Sequence, residues 1–335
     1  MLHLFDHLIK PILNYGCEVW TPIDITYKQP WLATSLKQKL LQDIRICIPY
    51  ITKFMDLDDP LEKLHLKFCK QILGVHSKTS NLGTYAELGR YPLFIDQIVQ
   101  SLKYKDYILF KTKNSLLKEF YDNMCEISTS KSNLKVFSNQ MFSILEIGAN
   151  NIGPNSKSCY KNIKCKLQNG FEQYWHTLIK TDISLSQSKE GGNKLRTYRT
   201  FKCKFELENY LNIRCPNIRK SIAQFRLSAH KLRIETDRYK SNGTYIPSEK
   251  RICTNCSDNV CEDEKHFLTE CCYYEQNRNI FWSFVSKYNN HFMDYDNTQK
   301  FIWLMSNEDN ILQGKLAQFL IDCMDLRNIC MIQKS

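Results

Sequence analysis

The sequence predicts a mainly α-helical protein in two regions, the second stapled by a small zinc knuckle. Three observations predict it. Apolar side chains recur at helical spacing along most of the 335 residues. Glycine and proline number only 11 and 9. One short stretch carries four metal-binding side chains at close spacing. With 43% hydrophobic residues the chain can bury one large or two ordinary cores.

Each element has its own local cause. Leu4, Leu8 and Leu13 stripe a short opening helix, which Pro11 kinks or ends. Tyr15, Val19, Trp20 and Trp31 read as core. Residues 59–74 give the clearest helix. Asp59 caps it, Pro60 fits its first turn and Gly74 stops it, with Leu61, Leu64, Phe68 and Ile72 as the apolar face. A short helix over 80–89 ends at Gly89. A longer one over 92–110 turns Leu93, Ile98, Leu102 and Leu109 inward and leaves Lys103 and Lys105 wet. Helices near 114–127 and 134–147 complete a first region, 1–147. The polar run 148–169, rich in Gly, Pro, Asn and Ser, reads as a linker, and its Cys159 and Cys165 are poorly spaced for a metal.

The second region, 170–335, begins with a short amphipathic helix marked by Phe171, Tyr174, Trp175 and Leu178. A helix over 195–211 stacks Tyr198, Phe201 and Phe205. Another over 216–230, opened by Pro216, buries Ile218, Ile222, Phe225 and Ala229. The tail is helical. Phe281, Trp282 and Val285 begin it, Phe301, Ile302 and Leu304 follow, and Leu312, Leu316, Phe319, Leu320 and Met324 stripe a last helix. These tail helices are expected to cover the zinc segment.

Within 251–275, Cys253, Cys256, His266 and Cys271 are spaced C-x2-C-x9-H-x4-C. Two cysteines on a tight turn grip one ion from two sides, and a helix then supplies a nitrogen and a third sulfur. Such a shell is full at four, so the Zn²⁺ is structural rather than catalytic. Cys261 and Cys272 lie close enough in sequence to substitute. The loop is acidic (Asp258, Glu262, Asp263, Glu264 and Glu270 against Lys265), which argues against its gripping phosphates by itself. Asp263 or Glu262 is expected to cap the helix carrying His266, with Phe267 and Leu268 packed beneath.

The formal charge is +11, and 194–251 carries nearly all of it: fifteen lysines and arginines against five acids, a net +10. Arg219, Arg226 and His230 fall along one flank of the 216–230 stripe, off its apolar side. With Arg199, Lys202, Lys220 and Arg233 they form a candidate surface for RNA or DNA phosphates, the competing reading being a solvated face. Fifteen cysteines without a disulfide spacing, and no secretory leader, point to reduced thiols in the nucleus or cytoplasm. No apolar run reaches membrane-spanning length. No catalytic residues are identified. Asp58-Asp59 precedes a proline at a helix start, and no Tyr- or Phe-x-Asp-Asp of a polymerase occurs.

Arg238-Tyr239, Arg251, Cys253, Cys256, Glu262-Asp263-Glu264, His266-Phe267-Leu268, Cys271, Tyr274 and Arg278 together resemble the C-terminal cysteine–histidine segment of non-LTR (LINE-type) retrotransposon reverse transcriptases. Leu4-Phe5-Asp6, the run Pro11 to Trp20 and the run Phe68 to Val75 resemble the part just after the polymerase palm in that family. The likeness is specific at the two ends and loose between about 125 and 190. It implies a thumb-like helical region followed by a basic, zinc-bearing one. It further implies a non-catalytic remnant that holds RNA or DNA, with a missing polymerase domain or another protein meeting an exposed N-terminal apolar face. The alternative is a zinc-stabilised helical protein–protein adaptor with no nucleic-acid role.

Overall fold

The computed structural model of the chain describes residues 2–17, 48, 59–126, 141, 157–181, 194–240 and 242–334. These are mostly helical. No β-strand occurs among them, only three isolated bridges. The expected helix over 134–147, the residues Val19, Trp20 and Trp31, and Asp58 lie outside this set.

The chain falls into two units that are discontinuous in sequence. One comprises residues 1–65 and 91–177, the other 66–90 and 178–335. This corrects the division at a linker over 148–169. Residues 157–169 are the first half of a helix, Lys157–Thr181. Polar composition concealed a stripe at four-residue spacing, in which Ile163, Leu167, Phe171, Trp175 and Ile179 are buried.

In the first unit a helical segment from Leu2 to Leu13 lies against the helix Leu93–Asp106. Lys10 and Lys164 both pair with Asp96, and the Cys17 thiol donates to Gln100 at 2.7 Å. Lys105 is buried rather than wet. The helix Pro60–Leu73 begins as expected, with the Leu61 N–H donating to the Asp59 carboxylate at 2.9 Å. Gly74 ends it at φ +65°, a conformation that suits glycine. Its buried face is not the expected one. Leu64 is exposed, whereas Glu62, His65, Leu66, Cys69 and Leu73 are buried. The reason is a carboxylate. Glu62 takes a hydrogen bond from Leu93 N–H at 2.7 Å, at the start of the helix Leu93–Asp106, and its other oxygen meets His65 Nδ1 at 2.8 Å. Charge at a helix N-terminus is favoured there, and the helix rolls to supply it.

The second unit is built on the helices Pro216–Arg226, Glu275–Val285, Asn297–Ser306 and Asn310–Lys334. The expected helix over 195–211 is only the turn Tyr198–Phe201, followed by extended chain and a 3-10 turn at Asn209–Asn212. The extended chain pairs Leu207 with Leu88. Gly89 permits this approach, because a Cβ there would lie 2.5 Å from the Leu207 nitrogen.

At the centre of this unit is a buried ion pair. Arg226, on the Pro216–Arg226 helix, is 3% exposed and meets both oxygens of Glu87 at 3.0–3.1 Å. It also pairs with Glu208 at 3.0 Å and lies 4.7 Å from the Phe201 ring centre. Tyr210 donates its hydroxyl to Glu87 at 2.5 Å. Burial opposes the charge on Glu87, yet Arg226 and Lys202 hold its carboxyl below the ordinary carboxylate range. Its stabilising contribution is therefore complete above about pH 4.5 and is lost as pH falls through the lowered value. Replacing Arg226 with Ala leaves Glu87 charged and dry. We expect a loss of about 3–5 kcal/mol in urea denaturation, and a steeper acid-induced unfolding of wild type than of Glu87→Gln.

Candidate metal centre

The knuckle begins as a small hairpin. Cys253 N–H donates to Val260 C=O at 2.8 Å, Glu262 N–H to Arg251 C=O at 3.0 Å, and Ile252 bridges Cys261. Asn259 turns the chain at φ +53°, a conformation asparagine tolerates. A helical turn follows. Asp263 caps it by accepting from His266 N–H at 2.8 Å, as the sequence suggested. Phe267 and Leu268 are buried beneath. The turn widens to close with Cys271 N–H on His266 C=O at 2.8 Å, which brings Cys271 beneath His266.

The result is that Cys253, Cys256, His266 and Cys271 converge, with one ligand atom from each lying within 4.8 Å of all the others. The cluster is able to hold a metal ion. Cys253 Sγ and Cys271 Sγ are 3.9 Å apart, and Cys256 Sγ is 3.4 Å from His266 Nε2. A tetrahedron with metal–sulfur bonds of about 2.3 Å has sulfur–sulfur edges of about 3.8 Å, whereas a disulfide would need about 2.05 Å. The spacing fits a shared cation. Neither Cys261 nor Cys272 joins the four.

The electrostatics agree. A hydrogen bond from Cys271 draws the Cys253 thiol down to about 3, against burial. Donating that bond pushes Cys271 far up, and burial pushes Cys256 up to about 11. In so small a volume one sulfur ionises at the expense of the others unless a cation joins them. His266 Nδ1 is buried without a hydrogen-bond partner, and a Glu270 oxygen stands 3.7 Å from it. That is the side on which a carboxylate steadies a metal-bound imidazole.

Two of the loop's acids are not solvated. Glu262 and Glu264 are 1% and 0% exposed. Glu264 receives both 2.8 Å bonds of Arg196 Nη2, the Ser228 hydroxyl at 2.8 Å and His230 Nε2 at 2.8 Å. Burial works against its charge, but Arg196 and His230 hold it down to about 2. Glu262 accepts Arg233 N–H at 2.8 Å and a two-pronged clamp from Arg327 at 2.7 Å, from the helix Asn310–Lys334. Arg278 donates to Leu268 C=O at 3.1 Å and Cys271 C=O at 2.6 Å. The tail helices thus cover the knuckle as expected, through two arginines.

This geometry decides the fate of the expected basic surface. Arg226 and Lys202 are buried, the latter held by Glu208 and the Glu206 carbonyl, and His230 is held by Glu264. They are corrected from surface cations to internal ones, because the buried carboxylates need them. The flank Arg219–Arg226–His230 is therefore not a continuous exposed stripe, and reversing Arg226 would not leave the fold intact. Arg219 spans the Ile213 and Arg214 carbonyls, at 2.5 and 3.0 Å. Arg233 pairs with Asp237 at 2.5 Å and stays part-exposed. Arg199 is half-buried, and Lys220 is exposed. Sequence reasoning missed Glu87, Arg196 and Arg327; for Glu87 and Arg327 the signal was only a charge within a helix, and Arg196 lies in a turn before the Tyr198–Phe201 turn.

Comparison with family models, curated proteins and solved structures finds no match to this chain. No helix among the described residues is long and apolar enough to cross a membrane.

One metal ion per chain is expected by elemental analysis. Cys253→Ser and His266→Ala should each lose it, whereas Cys261→Ser and Cys272→Ser should keep it. Chelation should open residues near 250–275 to protease before the rest of the chain, since the ion closes a loop with little apolar surface of its own.

Proposed function

We propose that the Cys253–Cys256–His266–Cys271 centre holds Zn²⁺ as a structural staple, and that the chain is a non-catalytic nucleic-acid-binding module. Three sulfurs and one imidazole in a closed set suit zinc and leave no position for a reacting water. On this reading the protein is the C-terminal remnant of a LINE-type reverse transcriptase. The quoted residues of the knuckle and of the N-terminal stretch support that, and the knuckle residues Arg251, Glu262, Asp263 and Arg278 all have framework bonds. Reduced thiols fit a nuclear or cytoplasmic setting, and no disulfide joins the described cysteines.

The observation that carries the binding reading is what remains of the +10 segment. After the buried pairs are set aside, Arg214, Lys220, Lys231, Lys240 and Lys250 stand exposed on a framework rigidified by ion pairs. Phosphates would meet them with release of counterions. Binding to RNA or DNA should therefore weaken steeply with salt and discriminate little among sequences. Lys220→Glu with Lys231→Glu should reduce affinity at least about tenfold and lower the slope of log affinity against log salt by about two, in a gel-shift titration. Purified protein should extend no primer.

A protein–protein adaptor is the second reading. One observation favours it: Leu4, Leu8, Ile12 and Tyr15 lie at helical spacing and are 59%, 59%, 70% and 83% exposed. It requires that wild type retain neither RNA nor DNA at low salt.

A further inference from the structure

Residues 239–240 and 242–250 form a feature that lies between the ion pair at Arg238 and the knuckle at Arg251. Ile246 N–H donates to Arg238 C=O at 2.9 Å and Lys240 N–H to Thr244 C=O at 2.8 Å, so the chain folds back on itself with Tyr239 bridged to Tyr245. Gly243 closes the tip at φ +81°. The two tyrosine rings meet edge to face, with centres 5.8 Å apart and planes at 66°. Tyr245 is braced from below. The Arg251 guanidinium lies 5.2 Å from its ring centre. Arg251 is itself 2% exposed and fixed by three bonds to the Ile246 and Ile234 carbonyls at 2.6–2.9 Å. Tyr239, on the outer side of this stack, is 51% exposed. Lys240 follows it directly in the chain and Lys250 lies at the far end of the stretch beside Glu249, the one acid there; both lysines are exposed.

The hairpin thus holds a large ring open to water against a second, braced ring. Its neighbours in the chain are cations. An exposed aromatic ring with a lysine next to it in the chain matches an unpaired base and its phosphate: the ring stacks on the base and the ammonium group meets the backbone. A base inside a duplex offers no free face, so the arrangement selects against paired strands. We infer that the Tyr239–Tyr245 hairpin is a stacking platform for single-stranded RNA or DNA, with Tyr239 taking the base and Lys240 the adjoining phosphate. This rests on the nucleic-acid reading above and specifies its substrate class. Stacking accepts any base, so sequence preference is slight.

The test uses the full, zinc-loaded chain with a labelled 20-nucleotide oligouridylate and a labelled 20-base-pair duplex, read by fluorescence anisotropy at low salt. Tyr239→Ala should weaken single-strand binding at least about fivefold and change duplex binding less than about twofold. Tyr239→Trp should restore it. Tyr239 is half exposed, so the melting temperature of each variant should stay at the wild-type value. If wild type binds the single strand and Tyr239→Ala binds it equally well, the platform is refuted and the nucleic-acid reading stands. If Tyr239→Ala weakens strand and duplex alike, the selection for unpaired bases is refuted. If wild type binds neither probe, the nucleic-acid reading falls and the platform with it.

Discussion

A carboxylate taken wholly out of water must be met by donors on every side, and Glu264 sets that requirement at the middle of the second unit. It lies two residues before His266, so its position and that of the metal ligand are fixed together. Arg196, Ser228 and His230 converge on it from two other stretches of chain. Removing a partner from such a site costs far more than the pair contributes against an apolar substitute. The arrangement is therefore a strong specifier of geometry and a poor source of net stability.

The knuckle is tied by two kinds of bond that act on different atoms. The three sulfurs and the imidazole are placed to close the loop through a shared metal ion. The carboxylates of Glu262 and Glu264, with the carbonyls of Leu268 and Cys271, fasten it to the rest of the unit through Arg327, Arg196 and Arg278. An arginine suits this work because its planar fork meets a carboxylate with two parallel bonds and keeps its charge when buried. A knuckle with acids on its outside would repel phosphate. Here two of those acids, Glu262 and Glu264, face inward, while Asp258 stays exposed and Asp263 and Glu270 part-exposed.

The sequence was most legible where structure is decided locally. Asp59, Pro60 and Gly74 delimit their helix because caps and stops act over one turn. The four zinc-type ligands were legible because a tetrahedron fixes their spacing. Burial of charge was not. Arg226 looks like a surface cation until Glu87 is placed against it, and nothing within ten residues of either announces the other. The same cause misplaced the buried face of Pro60–Leu73, where Glu62 and His65 are inside and Leu64 is out. A pattern rule that scores charge as outward fails where a helix start or an arginine awaits the carboxylate. The first half of Lys157–Thr181 escaped, while its second half was read as a helix, because one apolar residue in four, set among asparagines and lysines, looks like a loop by composition and like a helix by period.

Glu87 and Arg226 are 139 residues apart in the chain. At about 5–20 residues per second, a ribosome delivers the arginine on the order of 10 s after the glutamate. For that interval the segment 66–90 is synthesised without its permanent neighbours, and Glu87 stays hydrated because nothing yet compensates its charge. Burying its helix before the cation arrives would carry the cost of an unpaired charge. Long-range closure of this kind is slow, and a charged residue at the seam keeps the waiting segment soluble until the matching cation arrives.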